Sequence, residues 1–449
     1  PEDLPLIGPA GGLQNLWLAE GTPFGITLAG GIGWQLAEWM AEREPSIDLR
    51  SCDSRRFGRW AGRKWSARKV EEAYEHTYIL PKPGEELQAA RGLRCSPLHD
   101  LLDARGAVFG SVLGWEIPNW FAPPGIGREE TWSFDRPNWF AIAGEECRCP
   151  WRTPVATDVS SDTRPRLTGP EAKSVLEDLM NTPAPEPGTV QPGYVLDPSG
   201  TVALGLPAAC HAPGCFSLTC APDAEAYALD LVNRAIAARD ARVENVTGRI
   251  GGLHLFGKGC DALLSDLTGG ARDGLATGGT CRAGIGYCPV KTSRTGFCGL
   301  PGWRIEAATK YMRVVFLALE ERGARLIGAR ALAALRVEHR EPAWPAELSA
   351  DTSPGDAGLG GNAGNRRLVH LRVTPAKGAP LAGEPIRDRE GRIAGSTTSG
   401  SWGHLSGAGH ALGFVDRCAD TSALEVQILN IWYPAENGWT ALRAAASKC

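Results

Sequence analysis

The sequence lacks several features that would settle a function class at once. No stretch approaches the roughly 18 uninterrupted apolar residues of a membrane helix, and the N-terminus lacks a charged-then-apolar signal pattern. This predicts a protein of the cytoplasm or an organelle matrix that makes no membrane contact. There is no long basic run, and a net charge of −4 gives no electrostatic footing for nucleic acid, so a small-molecule partner is expected. The 13 cysteines cluster at Cys147 and Cys149, at Cys210, Cys215 and Cys220, and at Cys281, Cys288 and Cys298, yet none forms paired C-x-x-C spacing. The nearby His211 does not complete a zinc set, so thiols in a reducing compartment are expected rather than a metal. No nucleophile elbow occurs, which leaves a hydrolase without support. No G-x-G-x-x-G follows a strand and opens a helix either: Gly358-Leu359-Gly360 runs through Asn365-Arg366-Arg367 into a strand.

What is present is ample material for two or three packed domains: 449 residues, 43% hydrophobic and 22% charged. The pattern predicts an α+β fold. An apolar strand within the run Gly12–Gly21 is expected to lead through a glycine-rich turn into a helix containing Trp34 to Trp39. Helices are predicted from Thr168-Gly169-Pro170-Glu171-Ala172 through Leu176 and Leu179, from Asp261 to Leu267 and between Tyr311 and Arg322. The segment Asn181–Pro198, rich in proline and glycine, reads as loop, and Leu253–Gly257 and Leu368–Val373 read as strands.

Several ordered motifs carry a resemblance. They are Gly25-Ile26-Thr27-Leu28-Ala29-Gly30; Asp53-Ser54-Arg55-Arg56-Phe57; Cys95-Ser96-Pro97-Leu98-His99; and Gly114-Trp115-Glu116-Ile117-Pro118-Asn119-Trp120-Phe121. Arg136-Pro137-Asn138-Trp139-Phe140 forms a second aromatic turn, and Leu335-Arg336-Val337-Glu338, Trp344 and Asp351–Leu359 follow. In this order they resemble the sarcosine and dimethylglycine dehydrogenase family, in which an FAD-dependent amine oxidoreductase is fused to a folate-binding aminomethyltransferase module like the T-protein of glycine cleavage. The resemblance implies four regions. Residues 1–45 would be the tail of the FAD-dependent domain, 46–101 a bridging region, 102–360 the aminomethyltransferase-like domain and 366–449 a C-terminal β-barrel.

The same resemblance implies oxidative N-demethylation of a methylated amine coupled to one-carbon transfer to tetrahydrofolate. Gly25, Ile26, Thr27 and Gly30 would meet the flavin, and Arg336, Glu338 and Trp344 would line the folate pocket. With the dinucleotide fingerprint missing, FAD would need a preceding segment or a flavin-binding partner subunit. Three departures bear on activity. The family's G-G-x-x-x-D-L is Ser199-Gly200-Thr201-Val202-Ala203-Leu204-Gly205 here, and its F-T-G-E-x-G-W-E is Phe297-Cys298-Gly299-Leu300-Pro301-Gly302-Trp303-Arg304. Leu204, Leu300 and Arg304 thus stand where carboxylates are expected, so no catalytic residue is assigned. The chain alone is expected to transfer one-carbon units slowly or not at all, and the alternative is a non-catalytic regulatory or scaffold subunit. Asp197 reads as a turn residue beside Pro198.

Overall fold

The computed structural model describes residues 4–22, 24–270, 274–362, 364–375 and 378–437. Strands Leu6–Pro9 and Trp17–Glu20 pair antiparallel, and helix Gly25–Glu42 follows. The glycines that read as a turn lie inside this helix: Gly25, Gly30, Gly31 and Gly33 all fall within its bounds, and the turning is done earlier, where Gly21 has φ of 72°. The helix seats Trp39 edge-on against Trp17, with ring centroids 6.0 Å apart. Gly8, at φ of 111°, is required there, because a Cβ at that position would come within 2.5 Å of the Trp39 ring.

The next segment is tied into the body by charge. Buried Arg55 donates to Asp53 beside it and to Asp230 on helix Glu225–Ile236. Helix Arg63–His76 follows, with Trp65 packed edge-on against Trp60. The Gly114–Phe121 motif folds into strand Trp115–Phe121, paired with Ala107–Val112. Its residues have structural work: Trp115 and Trp120 are buried, Glu116 accepts from Arg91 and the Gly92 amide, and the Asn119 amide donates to Glu86.

Two sheets form the body. A five-stranded sheet runs in the order Arg242–Asn245, Pro165–Thr168, Cys215–Leu218, Ala208–Ala212, Val190–Gln191. A six-stranded sheet runs Thr280–Ile285, Cys288–Phe297, Leu300–Ala308, Ile250–Phe256, Val155–Asp158, Arg325–Leu326, all antiparallel except the last pair. Alternation on Leu300–Ala308 sends Trp303, Ile305 and Ala307 into a core under helices Cys260–Thr268 and Thr309–Glu321. The second helix contributes Met312, Val315, Phe316 and Leu319, the i, i+3, i+4, i+7 stripe of a half-buried helix. Arg304 and Glu306 therefore point the other way. The predicted loop 181–198 carries the short strands Val190–Gln191 and Tyr194–Leu196. Residues 366–437 close a six-stranded barrel in the order Arg366–Val373, Ala408–Asp416, Ile393–Gly403, Pro385–Arg387, Leu424–Ile428, Ile431–Asn437. The cysteines of the described residues are free, and those residues hold no metal-capable cluster. No described helix is long and apolar enough to cross a membrane.

Candidate functional site

Gly25, Ile26, Thr27 and Gly30 occupy the first turns of helix Gly25–Glu42; Gly25 is half-buried, the other three are exposed, and Ile26 is fully so. The remaining implied site residues are brought near one another in sequence but not into one slot.

Helix Ala329–Glu338 lies against the barrel strand Ile393–Gly403 and carries Arg336. Its guanidinium donates to Glu347 at 2.6 Å, to the Glu341 carbonyl at 3.0 Å and to Ser399 Oγ at 2.6 Å. Glu347, whose side chain has no exposed surface, also accepts from Thr398 and Ser399 hydroxyls and from the Ala343 amide. Arg336 is thus the counter-ion of a buried carboxylate, and it edges a 380 Å³ cavity with Trp139, Phe140 and Trp402.

Glu338, on the same helix, is buried completely and accepts from the Ser406 and Leu405 amides of the barrel. Burial pushes its carboxyl up, against the hydrogen bonds from Ser406 and Leu405. Trp344 lines a different cavity, of 540 Å³, with Asp48, Arg50, Arg56 and Tyr227. Its indole donates to the Ala203 carbonyl at 3.2 Å, and Arg50 lies 4.9 Å from its ring centre.

The positions that depart from the family pattern have settled environments. Leu204 has no exposed surface and packs in the apolar core with Leu176, Val195 and Phe216. Leu300 is half-buried beside Val155, Phe256 and Ile327. Arg304 donates to Asp162 at 2.7 Å and to Glu306 at 3.3 Å. Asp197 accepts from Ser199 Oγ at 2.6 Å and the Thr201 amide at 2.9 Å, which is the turn role its sequence suggested. Asp356 likewise holds a loop, accepting from Ser353 and the Gly364 amide.

A second charged group was not evident from the chain. Lys291 sits 2.8 Å from Glu306, Arg164 3.3 Å from Glu306, and Lys291 Nζ 3.0 Å from His211 Nε2. Burial pushes the Glu306 carboxyl up, but the charges of Lys291, Arg304 and Arg164 outweigh it and hold the group far below the usual carboxylate range. Burial, then the Lys291 charge, pushes the His211 imidazole down to about 4, so it is neutral at pH 7. The one signal in the sequence was Arg304 and Glu306 two residues apart on a strand, which share a face; Lys291 joins them through cross-strand register, and Arg164 reaches in from the segment just before strand Pro165–Thr168.

A body of two sheets and helices followed by a closed six-stranded barrel is the fold class of the aminomethyltransferase T-proteins. The comparisons with known proteins agree. The GCVT N-terminal domain matches residues 98–363, the glycine cleavage T-protein C-terminal barrel domain matches 366–437, and the central domain of FAD-dependent oxidoreductases matches 44–96. The aminomethyltransferase T of the glycine cleavage system from Bartonella henselae superposes with a TM-score of 0.66 at 18% identity, covering 78% of this chain and 98% of that one. With that central domain ahead of the T-protein module, the chain belongs to the sarcosine and dimethylglycine dehydrogenase family. Mouse mitochondrial dimethylglycine dehydrogenase is 30% identical over 97% of this chain and 54% of its own length. The mouse mitochondrial pyruvate dehydrogenase phosphatase regulatory subunit is 27% identical over 94% of this chain and 52% of its own length. The chain therefore spans about half the length of these curated relatives.

FAD and folate are the cofactors that this family implies in general. Against a folate slot, the fit of the implied residues is poor. Arg336 and Trp344 line separate cavities, Glu338 faces barrel amides, and Leu204 faces an apolar core.

Proposed function

We propose that this chain is the T-protein-like portion of a sarcosine or dimethylglycine dehydrogenase-like protein, and that its own one-carbon step is absent or slowed by roughly 10²-fold or more. The reaction class is oxidation of an N-methyl amine to an iminium with FAD as oxidant, followed by capture of the one-carbon unit on tetrahydrofolate. FAD would be held by polypeptide beyond these residues, a further segment or a partner subunit, since no dinucleotide fingerprint occurs among them. The observation that carries the reading is the fate of the three expected acids. Leu204 is sealed in a core, Leu300 is apolar, and Arg304 is paired with Asp162 and Glu306. None of them offers a carboxylate to orient or protonate a folate nitrogen.

A non-catalytic regulatory or scaffold subunit is the second reading, favoured by the same substitutions and by the likeness to a protein named as a regulatory subunit. One assay tests the first reading and separates it from the second. The chain is mixed with a formaldehyde-derived iminium and tetrahydrofolate, with and without a flavin-binding partner, and methylene-tetrahydrofolate is followed. Slow turnover under either condition supports the first reading; with no turnover under either condition, the readings are separated by supplying an N-methyl amine instead of the iminium, whose oxidation by the chain with its partner supports the first and whose absence supports the second. Rapid turnover by the chain alone would overturn the lost-acid argument and show that another group handles the proton.

A further inference from the structure

Apart from the residues tied to folate by resemblance, a cavity of 280 Å³ opens between the two sheets. Its walls are built by register. On the six-stranded sheet Arg282 stands opposite Lys291, Lys291 opposite Glu306, and Glu306 opposite Gly252, one cross-strand row on one face. On the five-stranded sheet Arg166 stands opposite Ser217. An irregularity in pairing between Cys210 and Ala212 leaves His211 free to swing its ring to Ser217, 2.7 Å from that hydroxyl.

The cavity is thus lined by four permanent cations, Arg164, Arg166, Arg282 and Lys291, against the single carboxylate Glu306. Glu306 is already shared by Arg164, Lys291 and Arg304. Beyond the strand ladders, neither the Arg166 nor the Arg282 side chain forms an ion pair or hydrogen bond among the described residues. The carboxylate opposite Arg166, Glu244, is held by Arg249 at 2.6 Å. His211 is flanked by the Lys291 ammonium and adds no negative charge. Val246, Ile250, Leu218 and Ala308 supply an apolar wall.

We propose that this cavity binds a small dicarboxylate, with one carboxylate on the Arg282–Lys291 side, the other on the Arg164–Arg166 side, and an aliphatic middle against the apolar wall. Four cations face one carboxylate along this cavity, and the guanidiniums left unpaired, half-buried Arg166 and exposed Arg282, stand on two facing sheets, which calls for an anion at each end. Arginine forks suit carboxylates, and the volume admits a chain of a few carbons.

The test is calorimetric titration of the whole chain with glutarate, inorganic phosphate and acetate, each at matched ionic strength in sodium chloride. Saturable glutarate binding, tighter than that of either other anion, is expected. The Arg166→Gln/Arg282→Gln double variant should weaken it at least tenfold, while circular dichroism and Tm stay unchanged because neither side chain makes an internal ion pair. Should the double variant unfold, Arg282→Gln alone, at an exposed strand position, serves in its place with a smaller loss. The proposal is overturned by no saturable glutarate heat in the parent, by phosphate or acetate binding as tightly as glutarate, or by equal glutarate affinity in parent and variant.

Discussion

The T-protein body and the N-terminal helix handle their residues in opposite ways. In the body, apolar side chains are sealed and buried charges are answered: Glu306 by three cations, Glu347 by Arg336 and two hydroxyls. Helix Gly25–Glu42 buries only Gln35 and Trp39 and leaves Ile26, Leu28, Trp34 and Met40 exposed, with four glycines in its first nine residues. The body is therefore held by packing and pairing, which are cooperative and costly to interrupt. The helix has little packing, so a change at one of its exposed positions alters stability through backbone propensity, in increments of about 1 kcal/mol or less. The same distinction separates buried carboxylates within the body. Glu306 and Glu146 are both nearly inaccessible, yet Glu306 is surrounded by cations while Glu146, among the described residues, accepts from the Phe121 and Gly328 amides alone.

The sharpest break of this contrast is Leu204→Asp, the direct attempt to return a missing acid. Because the position has no exposed surface and only apolar neighbours in its core, the new carboxylate would be buried without a partner. A loss of more than about 4 kcal/mol is expected, enough to leave the variant largely unfolded. A folded Leu204→Asp protein with a near-parent urea midpoint would mean that the position reaches a ligand space after all. Next comes Glu306→Ala, which leaves three cations facing one another and should cost about 3–5 kcal/mol. Chemical denaturation measures it, and a change under about 1 kcal/mol would show that water or ions already screen the cluster.

Much of the architecture was legible because it rests on local pattern. The stripe Met312-Val315-Phe316-Leu319 and the runs at 253–257 and 368–373 announce helix and strands by periodicity alone. The glycines at 25–33 misled for the same reason, since glycine reads as a breaker and nothing local shows that a helix tolerates four of them. The site was less legible because its partners are distant. Arg336 looked like a free cation until Glu347 and Ser399 arrived from eleven and sixty-three residues away. The row Arg282–Lys291–Glu306 exists only once three strands are in register.

Glu146 gives a pH signature that Glu306 should not share. Burial raises the Glu146 carboxyl from 4.5 to about 7, against the two amide hydrogen bonds. A raised folded value means that the unfolded chain gives up this proton first. The contribution is therefore whole below about 4.5, is lost as pH climbs to about 7, and is level above that. The decline is on the order of 3 kcal/mol. Glu306 is depressed, so its contribution is present above 4.5 and goes only in strong acid. Glu146→Gln loses one amide contact, about 1 kcal/mol at every pH, but should flatten the slope of stability between pH 5 and 7. Parallel stability–pH curves for parent and variant would sink the assignment.

The smallest effect tests the open helix. Gly30 lies mid-helix with nothing within 4 Å of where a Cβ would stand. If only backbone propensity acts there, Gly30→Ala removes the entropy cost of glycine and raises stability by about 0.5–1 kcal/mol. If instead the resemblance holds and Gly30 lets a flavin approach the backbone closely, the added methyl obstructs that approach. The chain alone should then still gain stability, while flavin-dependent amine turnover with a flavin-binding partner should fall. Thermal unfolding of the chain and turnover of the reconstituted pair read the two effects separately. A gain in Tm with unchanged turnover would leave Gly30 a residue of chain geometry only, and a lower Tm would show that its surroundings are closer than the open face indicates.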